Sequence, residues 1–135
     1  MARLRKLSKK KASREALLKN AFKSLVLHKR IITTEARAKE VKRYGEKILT
    51  RARLNTLHAK REVDKKLSSK AVIKELFEVV VPALPNKTSG FITFQKVTHR
   101  DGDGSDRAAL IIPKKIAKAE PEKSTSKPKK DKSTE

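Results

Sequence analysis

Residues Leu17 to Arg53 read LLKNAFKSLVLHKRIITTEARAKEVKRYGEKILTRAR, and the groups able to do chemistry there are almost all cations. Lys39, Arg43 and Lys47 recur every four residues, so a helix places them in one row, and Arg37, Lys42 and Arg51 widen it. Lys23, His28, Lys29 and Arg30 cluster where the preceding apolar period ends. Thr34 stands ready to cap the next helix, whose first N–H groups favour an anion. Upstream, Arg3, Arg5, Lys6, Lys9, Lys10 and Lys11 crowd the first thirteen residues with no acid among them, and Arg14 follows. A single lysine on a helix is usually a solvated surface group. Arm, junction and row together make a phosphate-binding set. His28 fits a phosphate contact or a plain helix-terminus role equally well.

His28, His58 and His99 stand far apart, outside any metal-ligand spacing. Asp101-x-Asp103-x-Ser105 resembles the start of a calcium loop, but Asp106 stands where the glycine is required and Ile112 where the final glutamate is required. The stretch reads as a solvated turn. Glycine-rich phosphate loops and nucleophile elbows are missing from the sequence. The carboxylates lie beside cations: Glu35 with Lys39 and Glu40 with Arg43 read as surface pairs worth ~0.3–0.5 kcal/mol each. These observations predict no enzyme, no cofactor and no small-molecule substrate.

The totals agree with the clusters. Among 135 residues, 36 Lys+Arg face 15 Asp+Glu, a formal net charge of +21. Such a charge repels itself in a compact state and calls for a neutralising partner. No run approaches the ~18 apolar residues that span a bilayer, so no membrane partner is expected. The basic N-terminus lacks the apolar segment of a secretory signal, although an organellar transit peptide shares its composition. Cysteine is absent, which excludes disulfides and thiolate metal sites. Aromatics are only 4%, which argues against stacking platforms for single strands and for contacts to phosphate and sugar on folded nucleic acid.

These groups need elements to position them, and composition divides the chain in three. Residues 1–13 read as an extended basic arm. Residues 14–113 read as one α+β domain, about four helices on a small sheet. The first helix buries Leu17, Leu18, Ala21, Phe22, Leu25 and Val26, and the second Ala38, Val41, Ile48, Leu49 and Ala52. Asn55 can close the second, and Thr56 can cap a third through Ala59, Val63 and Leu67. Ser68-Ser69 caps a fourth with the face Ile73, Leu76, Phe77 and Val80, which Pro82 should end. A loop marked by Pro85, Asn86 and Gly90 leads to a β-hairpin of FITFQKVT and AALII, and Ile31-Ile32-Thr33 can add a third strand. Residues 114–135 hold eight lysines, four acids and two prolines, and predict a disordered tail. Without it, 28 basic and 11 acidic residues remain, so the charge belongs to the domain and its arm.

The same residues resemble a known family, large-subunit ribosomal protein seventeen of the bacterial type. The likeness is densest from Leu18-Lys19-Asn20 to Arg53, where Ser24-Leu25, His28, Ile31, Thr33-Thr34, Ala38-Lys39-Glu40 and Glu46-Lys47-Ile48-Leu49-Thr50 follow its pattern in order and spacing. Lys70-Ala71-Val72 with Leu76-Phe77, then Ser89-Gly90-Phe91 and Ala109 to Ile112, extend it over roughly residues 14–113. Departures are local. The arm lacks the usual His-Arg-Lys opening and the glycine-containing segment after it. Ser13-Arg14 replaces a common His-Arg pair, and Thr93 stands where arginine is usual.

The resemblance implies a structural component of the large ribosomal subunit, bound to ribosomal RNA beside other ribosomal proteins near the exit of the peptide tunnel. That means a cytoplasmic ribosome, or its organellar counterpart. The competing expectation is a DNA-compacting nucleoid or chromatin protein. Four acids in the tail, and basic residues spread over several elements, weigh against it.

Overall fold

The computed structural model describes residues 5–84 and 87–112. Arg3, the loop residues Pro85 and Asn86, and the tail at 114–135 lie outside the described residues. The chain runs through helix α1 (Lys11–His28), strand β1 (Arg30–Thr34), α2 (Glu35–Arg53), α3 (Leu57–Leu67), and α4 (Lys70–Glu75). A π-helical turn (Leu76–Val80) and a last turn, α5 (Val81–Ala83), prolong α4 before strands β2 (Thr93–Val97) and β3 (Arg107–Ile111). The strands form an antiparallel sheet in the order β1-β3-β2, with Ile31 opposite Leu110 and Leu110 opposite Phe94. The hairpin and the third strand both form as their sequence patterns imply, and the fold is α+β.

Helix α2 lies at the centre. It touches α1, α3 and all three strands. Its buried residues Ala38, Val41, Gly45, Ile48, Leu49 and Ala52 follow alternating three- and four-residue steps, a stripe down one side. The helix caps divide in kind. Thr56 accepts a hydrogen bond from the N–H of Ala59 at 3.2 Å, as a capping threonine should. Asn55 takes the left-handed conformation just past α2, at φ 49°. Thr34 holds the cap position of α2, but its hydroxyl makes no capping bond. The N–H of Glu35 donates instead to the Asp106 carbonyl at 2.9 Å, which extends the sheet's pairing into the helix start.

Three expectations change at element boundaries. The described part of the arm is not extended: Leu7 and Ser8 take positive φ, and the N–H of Lys9 donates to the Lys6 carbonyl at 3.1 Å, which makes a tight turn. Half-buried Leu7 gives this stretch an apolar reason to fold back. Helix α1 also begins at Lys11, inside the stretch read as arm, with no side-chain cap to announce it. Pro82 does not stop the fourth helix, which continues to Ala83. The wider π-helical turn before it relaxes the clash that a proline ring makes in a regular helix. Val72, absent from the expected face of that helix, is buried, while Ile73 and Phe77 are half-buried at its edge.

Gly45 shows how tightly α2 is held. A Cβ there would lie 2.6 Å from Ile92 Cδ1 and 2.7 Å from Phe22 Cδ2. Helix propensity alone favours Ala over Gly by ~1 kcal/mol, whereas overpacking a filled core costs ~1–3 kcal/mol. Gly45→Ala is therefore expected to destabilise the domain, by up to about 2 kcal/mol net of these two effects in urea denaturation. A gain in stability would show that the α1–α2–β2 contact is loose.

Candidate nucleic-acid interface

The core consumes one side of α2, and the rest of its surface carries the cations. Arg37, Lys39, Lys47 and Arg51 are exposed, and Lys42 and Arg43 are half-buried. The acids of the same helix have other work. Glu46 accepts hydrogen bonds from the backbone N–H groups of Gly90 (3.1 Å) and Ile92 (2.7 Å), which pins the chain entering β2. Glu35 pairs with Lys39 at 2.5 Å, as its spacing implies. That hydrogen bond leads the effects holding the Glu35 carboxyl below the usual range, with Lys96 and Arg5 adding attraction. Glu40 is not the surface residue expected. It is 7% exposed, and its Oε2 has no hydrogen-bond partner among the described residues.

The structure brings Arg5 of the arm beside Thr34 and Lys39 at the start of α2, where they line a crevice of about 350 Å³. Glu35, Ala36 and Asp106 complete that crevice, so cations and acids share it. Lys6, Lys9, Lys10 and Lys11 are exposed on the turn and the first residues of α1. Arg14 and Lys23 are half-buried along α1, and His28 and Arg30 are exposed at its far end. Arm and row thus meet at the start of α2. The junction lies at the opposite end of β1 from it.

Lys29 requires a correction. Lys29 and Arg30 look like one exposed basic pair in sequence. Instead, Lys29 takes the left-handed conformation (φ 63°) after α1 and is only 9% exposed. Its Nζ donates to the Val26 carbonyl at 2.6 Å and to Glu75 Oε1 at 2.6 Å. Its own carbonyl accepts from the N–H of Ile112 at 2.9 Å. The ammonium satisfies a carbonyl at the C-terminus of α1, where positive charge is favoured, and ties α1 to α4. Lys29 is an internal brace, and of this pair only Arg30 is exposed.

The hairpin turn also settles its acids internally. Arg100 pairs with Asp103, which holds that carboxyl well below the usual range, and Asp103 Oδ1 accepts from the N–H of Ser105 at 3.2 Å. His99 Nδ1 lies 2.9 Å from Asp106 Oδ1. Asp103 and Glu35, with lowered folded-state values, support the fold above the usual carboxylate range and lose that support as pH falls through those values.

Sequence reasoning missed a second basic region and the chain's one tyrosine. Lys60, Arg61, Lys70 and Lys74 line an open groove of about 580 Å³ between α3 and α4, with Asp64 and Glu78 among them. Lys60 sits over the Phe77 ring at 5.4 Å. No periodic signal in one helix announces a groove whose walls come from two.

With this geometry in view, the comparisons decide the family. The family model "Ribosomal protein L17" matches residues 17–112. The chain belongs to the ribosomal protein L17 family. Large ribosomal subunit protein bL17 of Chlorobium phaeobacteroides is 42% identical to it over 108 residues, 80% of this chain and 65% of that protein. The bL17 of Borrelia hermsii is 36% identical over 107 residues, 79% of this chain and 87% of that protein. Borreliella afzelii bL17 is 36% identical over 115 residues, 85% of this chain and 94% of that protein. The chain therefore spans about two thirds of the Chlorobium relative and most of the two spirochaete ones. The matched segment contains the whole cationic face of α2 and the brace at Lys29.

Removing the brace separates the two junction residues. Lys29→Ala leaves Glu75 and the Val26 carbonyl without their partner. A buried pair broken on one side costs ~3–5 kcal/mol, and partial exposure of Glu75 lowers the expectation to ~1–3 kcal/mol. Arg30→Ala should stay within about 0.5 kcal/mol, as for ordinary surface sites. Chemical denaturation of both variants checks this, and equal effects would contradict the brace.

Proposed function

We propose that the chain is a structural constituent of the large ribosomal subunit, which binds folded ribosomal RNA near the exit of the peptide tunnel. One observation carries the reading beyond family membership. On α2 the acids pair locally, hold backbone or are buried, and the cations remain outside. That surface can neutralise phosphates where RNA segments pack together, and so hold an arrangement that would otherwise repel itself. The interface set is Arg3, Arg5, Lys6, Lys9, Lys10, Lys11, Arg14, Lys23, His28, Arg30, Thr34, Arg37, Lys39, Arg43 and Lys47, with Lys29 supporting it from within.

Recognition of this kind rests on RNA shape and 2′-hydroxyls more than on base edges. The partners are ribosomal RNA and the neighbouring large-subunit proteins, in the ribosomes of the cytoplasm. The role is structural rather than enzymatic, in keeping with the family. No helix among the described residues is long and apolar enough to cross a membrane. Family membership also weighs against the DNA-compacting alternative.

The test is salt. If ~6–10 phosphates are neutralised, affinity for a ribosomal RNA fragment should fall roughly 10³–10⁵-fold between ~50 and ~200 mM salt, scaling from duplex DNA. Filter binding measures the slope. A flat response would mean that the charge is not the binding device.

A further inference from the structure

Between the first half of α1, the middle of α2 and the end of α3 lies a cavity of about 610 Å³. Ala12, Ala16 and Leu18 supply an apolar wall, and Tyr44 is the one aromatic residue lining it among the described residues. Phe22 meets the Tyr44 ring at 6.1 Å between centroids and an interplanar angle of 80°, which fixes the plane of the ring. Burial, with Glu15 nearby, raises the phenol above its ordinary value. Arg14, Lys19 and Lys66 line the same cavity against a single acid, Glu15. Lys19 Nζ donates to Ser68 Oγ at 3.0 Å. Arg14 and Lys66 make no ion pair among the described residues. The groove between α3 and α4 differs, because Lys60 already covers its aromatic ring.

A ligand that suits this place is flat and aromatic, carries negative charge beside the ring, and offers an N–H to a carboxylate. We propose that the cavity receives one unstacked nucleotide of the bound RNA. Its base packs against Tyr44, and its flanking phosphates sit on Arg14, Lys19 and Lys66. Glu15 accepts from an amino or imino N–H on the base edge. This rests on the RNA-binding reading and adds to it a point at which an irregular RNA is told from a regular helix. Charge alone attracts any RNA, whereas a cavity this size accepts a base only where one is free to leave the stack.

The chain has one tyrosine and no tryptophan, so its intrinsic fluorescence reports Tyr44 alone. The full chain is titrated, at one salt concentration, with two RNA hairpins identical except for a single bulged nucleotide. The bulged hairpin is expected to quench the tyrosine and to bind roughly 5- to 150-fold more tightly, the range for stacking one base. Tyr44→Phe should keep the preference in filter binding, and Tyr44→Ala should abolish it. Arg14→Gln with Lys66→Gln, which leaves the core untouched, should narrow it. Equal affinity for both hairpins without quenching, while salt still weakens both, overturns the inference, spares RNA binding, and leaves the cavity to a side chain of a neighbouring protein. Quenching by adenosine or guanosine monophosphate at the concentrations that suffice for the bulged hairpin also overturns it, in favour of a free-nucleotide site. Failure of either hairpin to bind removes the RNA-binding reading itself.

Discussion

Everything in this fold depends on one helix being buried along one side and charged along the rest. The stripe Ala38, Val41, Gly45, Ile48, Leu49 and Ala52 meets α1, α3 and the sheet. Three of those six residues are alanine or glycine. Small side chains let the neighbours close on the backbone, and a Cβ at Gly45 would meet Ile92 and Phe22 at 2.6 Å and 2.7 Å, so no room is left over. A helix pinned in this way cannot rotate. Its remaining face is therefore presented in one fixed orientation, and that face holds Arg37, Lys39, Lys42, Arg43, Lys47 and Arg51. Packing thus sets the direction of the charge.

The second constraint is repulsion among the cations. With +21 on 135 residues, the domain gains from every cation that can be given a partner without being lost to the surface. Lys29 is taken inward by Glu75 and a helix-end carbonyl. Lys39 keeps its head at the surface beside Glu35, Arg51 lies near Glu62, and Arg100 is engaged by Asp103 in its own turn. Cations without an ion pair among the described residues include Lys9, Lys10 and Lys11 on the arm and the start of α1, and Arg37, Lys42 and Lys47 on the outer face of α2. A polyanion docked there would relieve the repulsion that the free protein carries, which would couple binding to stability through the same charges.

The helices and strands were legible because their periods are strong. Alternating three- and four-residue steps gave α2 its buried side, and two β-branched runs around a Gly-Asp turn gave the hairpin. The third strand followed from Ile31-Ile32-Thr33. Illegible features depend on distant partners or on geometry without a residue signature. Lys29 reads as surface because Glu75 stands 46 residues away, and Glu40 reads as an exchangeable surface acid because burial on a basic helix leaves no mark. The start of α1 has no cap. The continuation past Pro82 needs a π-helical turn that no spacing predicts. At the candidate interface, most of the expected cations are on the surface as their spacing implied, whereas Tyr44 and Lys66 join only when three helices fold together.

The central claim is that the outward charge of the arm and α2 lies against RNA phosphate in the large subunit. Amine-reactive labelling with mass spectrometry, applied to free protein and to purified large subunits, tests it residue by residue. The account predicts that Lys10, Lys11, Lys42 and Lys47 react in the free protein and are protected in the subunit, while Lys29 is unreactive in both. Undiminished reactivity of Lys42 and Lys47 within the subunit would contradict it.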